Sequence, residues 1–158
     1  MPRLNNGDAF PSLTLDTVLH GTLSVTHNLS GDYGVVLMYR GSWCPYCNAQ
    51  LSAFSRAKPK LDELGIRVVA LSVDNNTEAA TLVEKHRLNF PVGYGVDADR
   101  ISASTGAYVN DSPRYLQSTG FVLDPTRRVI TAVYSSGAIG RLVPEDVIGF
   151  IGYMKSKA

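Results

Sequence analysis

Residues 35–39, Val-Val-Leu-Met-Tyr, are an unbroken apolar run rich in β-branched and aromatic side chains. A run of this kind suits a central strand covered on both faces. It leads directly into Arg40-Gly41-Ser42-Trp43-Cys44-Pro45-Tyr46-Cys47, which holds the only two cysteines of the chain. Beyond it the pattern switches to a helical period. Cys47, Leu51, Phe54, Lys58 and Leu61 advance by four, three, four and three, a mostly apolar stripe on one face. The pair of thiols therefore stands where a buried strand hands over to a helix. Two thiols two residues apart can close a small-ring disulfide, and a helix start makes one of them acidic.

The remaining pattern places that junction in an α/β layout. Leu13–Asp16 and Thr22–Thr26 alternate apolar and polar residues about His20-Gly21, which predicts an N-terminal hairpin. Pro59 predicts a break near Ala57–Lys58, and Gly65 a helix end. Ile66–Val73 is a second buried-strand run. Thr77–Arg87 reads as a helix capped by Asn76, with Ala80, Val83 and Leu88 turned inward. Phe90–Val92 is a short extended piece, and Asp99–Tyr108 a short helix. Thr119–Asp124 and Arg128–Tyr134 form a second hairpin, and a closing helix starts at Pro144 with Val147, Ile148, Ile151 and Met154 on one face. Strand, helix, strand requires a crossover and so parallel pairing, while the late hairpin adds antiparallel strands. The sheet is expected to be mixed and flanked by helices. With 158 residues, no repeat and no linker, residues 1–158 are read as a single domain.

Composition narrows the function. The formal charge is +1 and no basic–aromatic cluster appears, so nucleic acid is not the expected partner. No apolar stretch is long enough for a bilayer and the N-terminus has no apolar signal region, so a membrane partner is not expected either and a cytoplasmic protein is. In that reducing compartment a CxxC is catalytic or metal-binding more often than a static disulfide. Zinc ordinarily wants four ligands, and His20, His27 and His86 have no paired spacing. Two soft thiolates suit Cu(I), which leaves a non-enzymatic Cu(I)-binding or redox-sensing module open.

The segment Leu37–Cys47 resembles the thioredoxin superfamily and, within it, the peroxiredoxin-like branch known as the AhpC/TSA or redoxin family. The Gly7-Asp8-Ala9-Phe10-Pro11 entry and the segments Val69–Asp74 and Phe121–Asp124 are similar too, in the expected order. The resemblance implies a thioredoxin fold with an N-terminal β-hairpin extension, an exposed attacking Cys44 and a more buried resolving Cys47. The chain departs from the family at two places. Gly41 stands three residues before Cys44, where peroxiredoxins carry Thr or Ser, and Ser118 stands where an arginine or a cis-proline is usual, with Arg114 nearby.

Several neighbours are candidate positioning or thiolate-stabilising residues. Pro45 suits the first helical position, where its missing N–H is no loss. Cys44 then caps the helix and faces the amides of Tyr46 and Cys47. Arg40 can turn toward the sulfur, Trp43 can lie over it as a lid, and Tyr46 is expected at the surface. Ser118 and Thr119 are candidates for holding substrate opposite the thiols. The expected activity is reduction of hydroperoxides through a Cys44–Cys47 dithiol/disulfide cycle, the alternative a thioredoxin-like protein-disulfide reductase. Either needs an external dithiol reductant of thioredoxin, glutaredoxin or glutathione type, and neither needs a bound cofactor or metal. A homodimer is left open.

Overall fold

The protein is described here from a computed structural model, covering residues 3–29 and 32–157. The chain runs β1 (Thr14–Thr17), β2 (Thr22–Ser24), α1 (Val25–Asn28), β3 (Tyr33–Met38), α2 (Pro45–Arg56), α3 (Lys58–Glu63), β4 (Ile66–Leu71) and α4 (Asn76–His86). It continues through β5 (Val92–Tyr94), α5 (Ala98–Thr105), β6 (Val109–Asn110), β7 (Tyr115–Leu116), β8 (Thr119–Leu123), β9 (Val129–Tyr134) and α6 (Pro144–Lys157). Among the described residues one seven-stranded sheet has the order β2-β1-β5-β4-β3-β8-β9. The trio β3, β4, β5 is parallel, while β8, β9 and the N-terminal hairpin pair antiparallel, so the sheet is mixed as its pattern demands.

Strand β3 lies at the centre, in register with β4 from Tyr33–Ile66 to Met38–Leu71 and with β8 from Gly34–Leu123 to Met38–Thr119. Its side chains alternate between two buried layers. Val35, Leu37 and Tyr39 join Leu51 and Phe54 of α2, Val83 of α4 and Ile151 of α6. Val36 and Met38 join Leu29, Ile101 of α5 and Phe121 on the other face. Burial on both faces is the reason the strand carries no polar alternation. It also fixes where the strand can end: its last residues deliver Arg40 and the loop 41–44 to the edge of the core, directly under the start of α2.

Local signals end the elements where expected, with a few shifts. Helix α2 stops at Arg56 and α3 begins at Lys58, the break required by Pro59. Gly65, at φ 69°, turns the chain into β4 in a conformation that side-chain-bearing residues resist. The cap of α4 is Asn75, not Asn76, because Asn75 closes a reciprocal pair with Glu78: each side chain takes the other's amide. That one-residue shift turns Ala79, Leu82 and Val83 to the core and leaves Ala80 only partly covered. Helix α5 spans Ala98–Thr105, because the Asp97 carboxylate caps it and Gly106 ends it. The one-turn helix α1 and the short β6–β7 hairpin were not legible in the hydropathy pattern. Both are too brief to show a period.

Candidate active site

The site grows out of the end of β3. Beyond Met38, Tyr39 points into the core and Arg40 turns outward above it. Cys44 caps α2 with extended backbone (φ −89°, ψ 111°), and Pro45 opens the helix. The Cys44 Sγ accepts a hydrogen bond from the Cys47 amide at 3.2 Å. Of the two amides expected to face the sulfur, the one from Cys47 does so. The Cys47 Sγ in turn accepts the Arg40 amide at 3.4 Å. Each sulfur thus receives a backbone donor whose position is set by the strand-to-helix turn itself.

Arg40 gathers the rest of the outer site. Its Nη1 lies 3.9 Å from Cys44 Sγ, its Nε donates to Gln117 Oε1 at 3.1 Å and its Nη2 to the Tyr115 hydroxyl at 2.9 Å. The guanidinium also sits 4.9 Å from the centre of the Trp43 ring, and Trp43 meets Tyr115 edge to face at 4.9 Å. Trp43, Tyr115 and the Arg40 plane together roof the sulfur. Gly41 makes this roof possible, since a Cβ there would overlap the indole nitrogen of Trp43. The family's usual Thr or Ser is therefore sterically incompatible with this placement of Trp43.

That roof corrects one expectation. The attacking thiol was expected at the surface, yet Cys44 is 0 % exposed, as is Cys47. Trp43 itself stays 53 % exposed while its ring packs on Tyr115 and the Arg40 guanidinium. Tyr46 is equally exposed, as expected. Ser118 and Thr119 are buried: the Ser118 carbonyl receives the Ser135 amide at 2.9 Å, and the Thr119 hydroxyl donates to the Gln117 carbonyl at 3.1 Å. Gln117, one residue earlier, is the one that reaches Arg40. Arg114 is turned away, paired with Asp99 and Asp111 at the surface.

The two thiols differ in acidity for physical reasons. Burial alone would raise Cys44, but hydrogen bonds from the Cys47 thiol and amide and from Arg40, with the nearby Arg141 charge, outweigh it and hold the thiol below its ordinary value. Burial pushes Cys47 up to about 11, helped by its hydrogen bond to Cys44 and the charge there. Of the two sulfurs, Cys44 is therefore the one that ionises first, with Cys47 held as the thiol.

Three participants carried no sequence signal. Tyr115 and Gln117 reach Arg40 from the β7–β8 segment, and Arg141 approaches Cys47 with Nη2 3.6 Å from its sulfur. A fourth, Asp74, follows β4 and accepts the Ser42 amide at 2.8 Å, fixing the loop before Cys44. Burial raises its carboxyl above the usual range although the Ser42 and Ser72 donors pull it down. Among the described residues no cluster of three or more His, Cys, Asp or Glu side chains could hold a metal ion, and no helix is long and apolar enough to cross a membrane.

Residues 6–132 match the AhpC/TSA family. The chain belongs to that family. A peroxiredoxin of Treponema denticola is 28 % identical over 151 residues, covering 93 % of this chain and 71 % of its own. The fold is thioredoxin-like: the crystal structure of peroxidoxin BcpB from Mycobacterium tuberculosis superposes with a TM-score of 0.82 at 17 % identity, covering 96 % of this chain and 99 % of that one. The thiol-disulfide oxidoreductase ResA of Bacillus cereus is 29 % identical over a shorter stretch, 138 residues, which is 85 % of this chain and 70 % of ResA. The protein is a peroxiredoxin-like thiol peroxidase.

Proposed function

We propose that Cys44 attacks a small hydroperoxide and that Cys47 resolves the product. The Cys44 thiolate attacks the distal oxygen, an S–O bond forms as the O–O bond breaks, and the leaving alkoxide or hydroxide takes a proton from solvent. Cys44 is left as a sulfenic acid. The Cys47 sulfur then forms the S–S bond, the S–O bond breaks, and water leaves. An external dithiol of thioredoxin, glutaredoxin or glutathione type takes up the disulfide by exchange and restores both thiols. The reading implies a cytoplasmic setting, where such dithiols are kept reduced.

One observation carries the choice of substrate. The acidic sulfur is fully covered, with Trp43, Tyr115 and Arg40 around it. A two-oxygen substrate reaches such a sulfur after a side-chain rotation, on the nanosecond scale. A protein disulfide is bulkier and needs a wider opening of the cover over Cys44. The Arg40 guanidinium, already close to the sulfur, can also donate to the developing oxyanion, where a fixed charge is most effective.

The test is to mix the reduced protein with hydrogen peroxide or an alkyl hydroperoxide, and separately with insulin, following each rate. Rapid peroxide consumption that disappears in Cys44→Ser supports the reading. A peroxide rate no greater than that of a free thiol refutes it. Rapid insulin reduction instead would favour the disulfide-reductase reading, to which the intact Trp-Cys-Pro-Tyr-Cys segment points.

A further inference from the structure

The loop 135–143 between β9 and α6 takes no part in the scheme above except through Arg141, and it is firmly held. The Ser135 amide donates to the Ser118 carbonyl, and the Ser135 hydroxyl bonds the carbonyls of Gly137 and Ile139. The Gln50 side chain of α2 donates to the Leu142 carbonyl at 2.9 Å, and Leu142 packs into the space left by Gly120 of β8. The loop is thus tied to the sheet at one end and to the helix bearing Cys47 at the other.

Arg141 projects from this anchored loop onto the second sulfur. Its Nη1 donates to the Ala138 carbonyl at 3.0 Å, which fixes the guanidinium plane, and its Nη2 lies 3.6 Å from Cys47 Sγ. Its Nε is buried without a partner, and among the described residues no carboxylate pairs with it. Cys47 therefore faces two donors, the Arg40 amide and the Arg141 guanidinium. A neutral thiol is a weak acceptor and makes little of them, whereas a thiolate makes full use of both.

We infer that Arg141 is a catalytic residue of the resolving step, which stabilises the developing negative charge on Cys47 as it attacks oxidised Cys44. The inference rests on the peroxidase cycle proposed above. It assigns Arg141 a moment in that cycle. In the reduced protein burial first, then the hydrogen bond to Cys44 and the charge there, push the second sulfur's pKa up, while the Arg40 amide and the Arg141 charge pull it down. Peroxide converts Cys44 to a neutral sulfenic acid and removes that negative neighbour. Besides the Arg40 amide, the groups then facing Cys47 include the Tyr39 phenol from β3, kept neutral by burial, and the Arg141 cation from the loop. Burial still opposes the Cys47 thiolate, but the charge that opposed it is gone and the Arg141 cation that favours it remains. Its sulfur joins Cys44, the S–O bond breaks, and the departing hydroxide leaves as water with the proton Cys47 gave up. During reduction the same cation favours Cys47 as the leaving thiolate when the dithiol attacks Cys44.

The magnitude follows from thiol reactivity. Each unit by which a cation acidifies a thiol multiplies its thiolate fraction about tenfold and cuts its intrinsic nucleophilicity about threefold. Removing Arg141 should therefore slow resolution by about threefold or more at neutral pH. The experiment uses the full chain as wild type, Arg141→Gln and Arg141→Lys, with thermal unfolding showing that all three are folded. One equivalent of hydrogen peroxide is added to the reduced protein. Sulfenic acid, trapped with a dimedone probe, and intramolecular disulfide are counted by mass at short intervals across pH. Because the Arg141 charge also favours the Cys44 thiolate, sulfenic acid formation is timed separately, and disulfide closure is read as the rate at which sulfenic acid already formed is consumed. In Arg141→Gln the disulfide should close at least about threefold more slowly, with its pH midpoint displaced upward and sulfenic acid accumulating. Arg141→Lys should recover part of the loss. Closure within twofold of wild type in Arg141→Gln, or slower closure with an unmoved pH midpoint, overturns the inference. Failure of the wild-type protein to form sulfenic acid instead overturns the peroxidase cycle itself, so the two failures are read separately.

Discussion

Replacing Arg40 by Met removes the one side-chain cation that, among the described residues, touches Cys44 while retaining an unbranched apolar stem. At 3.9 Å, a unit charge and a thiolate interact by about 4 kcal/mol at an effective dielectric of about 20. The guanidinium is partly exposed and divides its protons between Gln117 and the Tyr115 hydroxyl. Solvent screening and that sharing reduce the share felt by Cys44 to about 1–2 kcal/mol. At about 1.4 kcal/mol per unit, the Cys44 titration should move up by roughly one unit. The sign is set by the charge: a cation favours the thiolate, so its loss favours the thiol. The assay is the rate of Cys44 alkylation by iodoacetamide against pH, with the alkylated cysteine identified by mass. The profile should shift to higher pH, and peroxide consumption at neutral pH should fall about in proportion to the lost thiolate. Arg40→Lys should recover part of the shift but not the fixed orientation, because one ammonium cannot serve Gln117, Tyr115 and Cys44 together. A midpoint that stays put, or moves down, in Arg40→Met would show that the helix start and the Cys47 donors alone hold the thiolate.

Further outcomes follow from other contacts. Trp43→Ala opens the roof over Cys44, so alkylation by a bulky maleimide should accelerate much more than alkylation by iodoacetamide; equal acceleration of both would mean that Trp43 covers nothing. Burial raises the Asp74 carboxyl in the folded state, so its contribution to stability is full below the ordinary carboxylate range and is lost as pH rises through the folded value. Asp74→Asn should therefore raise the unfolding temperature relative to wild type at neutral pH more than at pH about 3, and a pH-independent difference in unfolding temperature would refute this. A Cβ at Gly120 would fall 2.7 Å from Leu142 Cδ1, so Gly120→Ala should cost about 1–3 kcal/mol in a urea titration. The same substitution displaces the loop that carries Arg141 and should slow disulfide closure. An unchanged urea midpoint would show that Leu142 yields freely.

Much of the site could be read from the chain before any coordinates. Cys44 as helix cap, Pro45 in the first turn and Cys47 behind it follow from a strand run, a CxxC and a helical stripe, all within residues 35–61. So do the break at Pro59 and the turn at Gly65. These features depend on backbone hydrogen bonds and side-chain periods that close over a few residues, and a sequence displays both. The shifts were local as well: Asn75 displaced Asn76 as a cap because Glu78 stands three residues after it.

What the sequence determined by itself is the pair of sulfurs and their unequal places on one helix turn, since that inequality comes from the turn's own amides. What only the tertiary structure decided is the charge around them. Tyr115 and Gln117 lie 75 and 77 residues from Arg40, and Arg141 lies 94 from Cys47. Their arrival depends on β8 pairing with β3 and on a loop pinned between β8 and α2, contacts that leave no period in the chain. The same assembly buried Cys44, which the motif taken alone would leave in water. A thiolate's acidity begins with local geometry, and its access to substrate and its second cation are set by packing across the sheet.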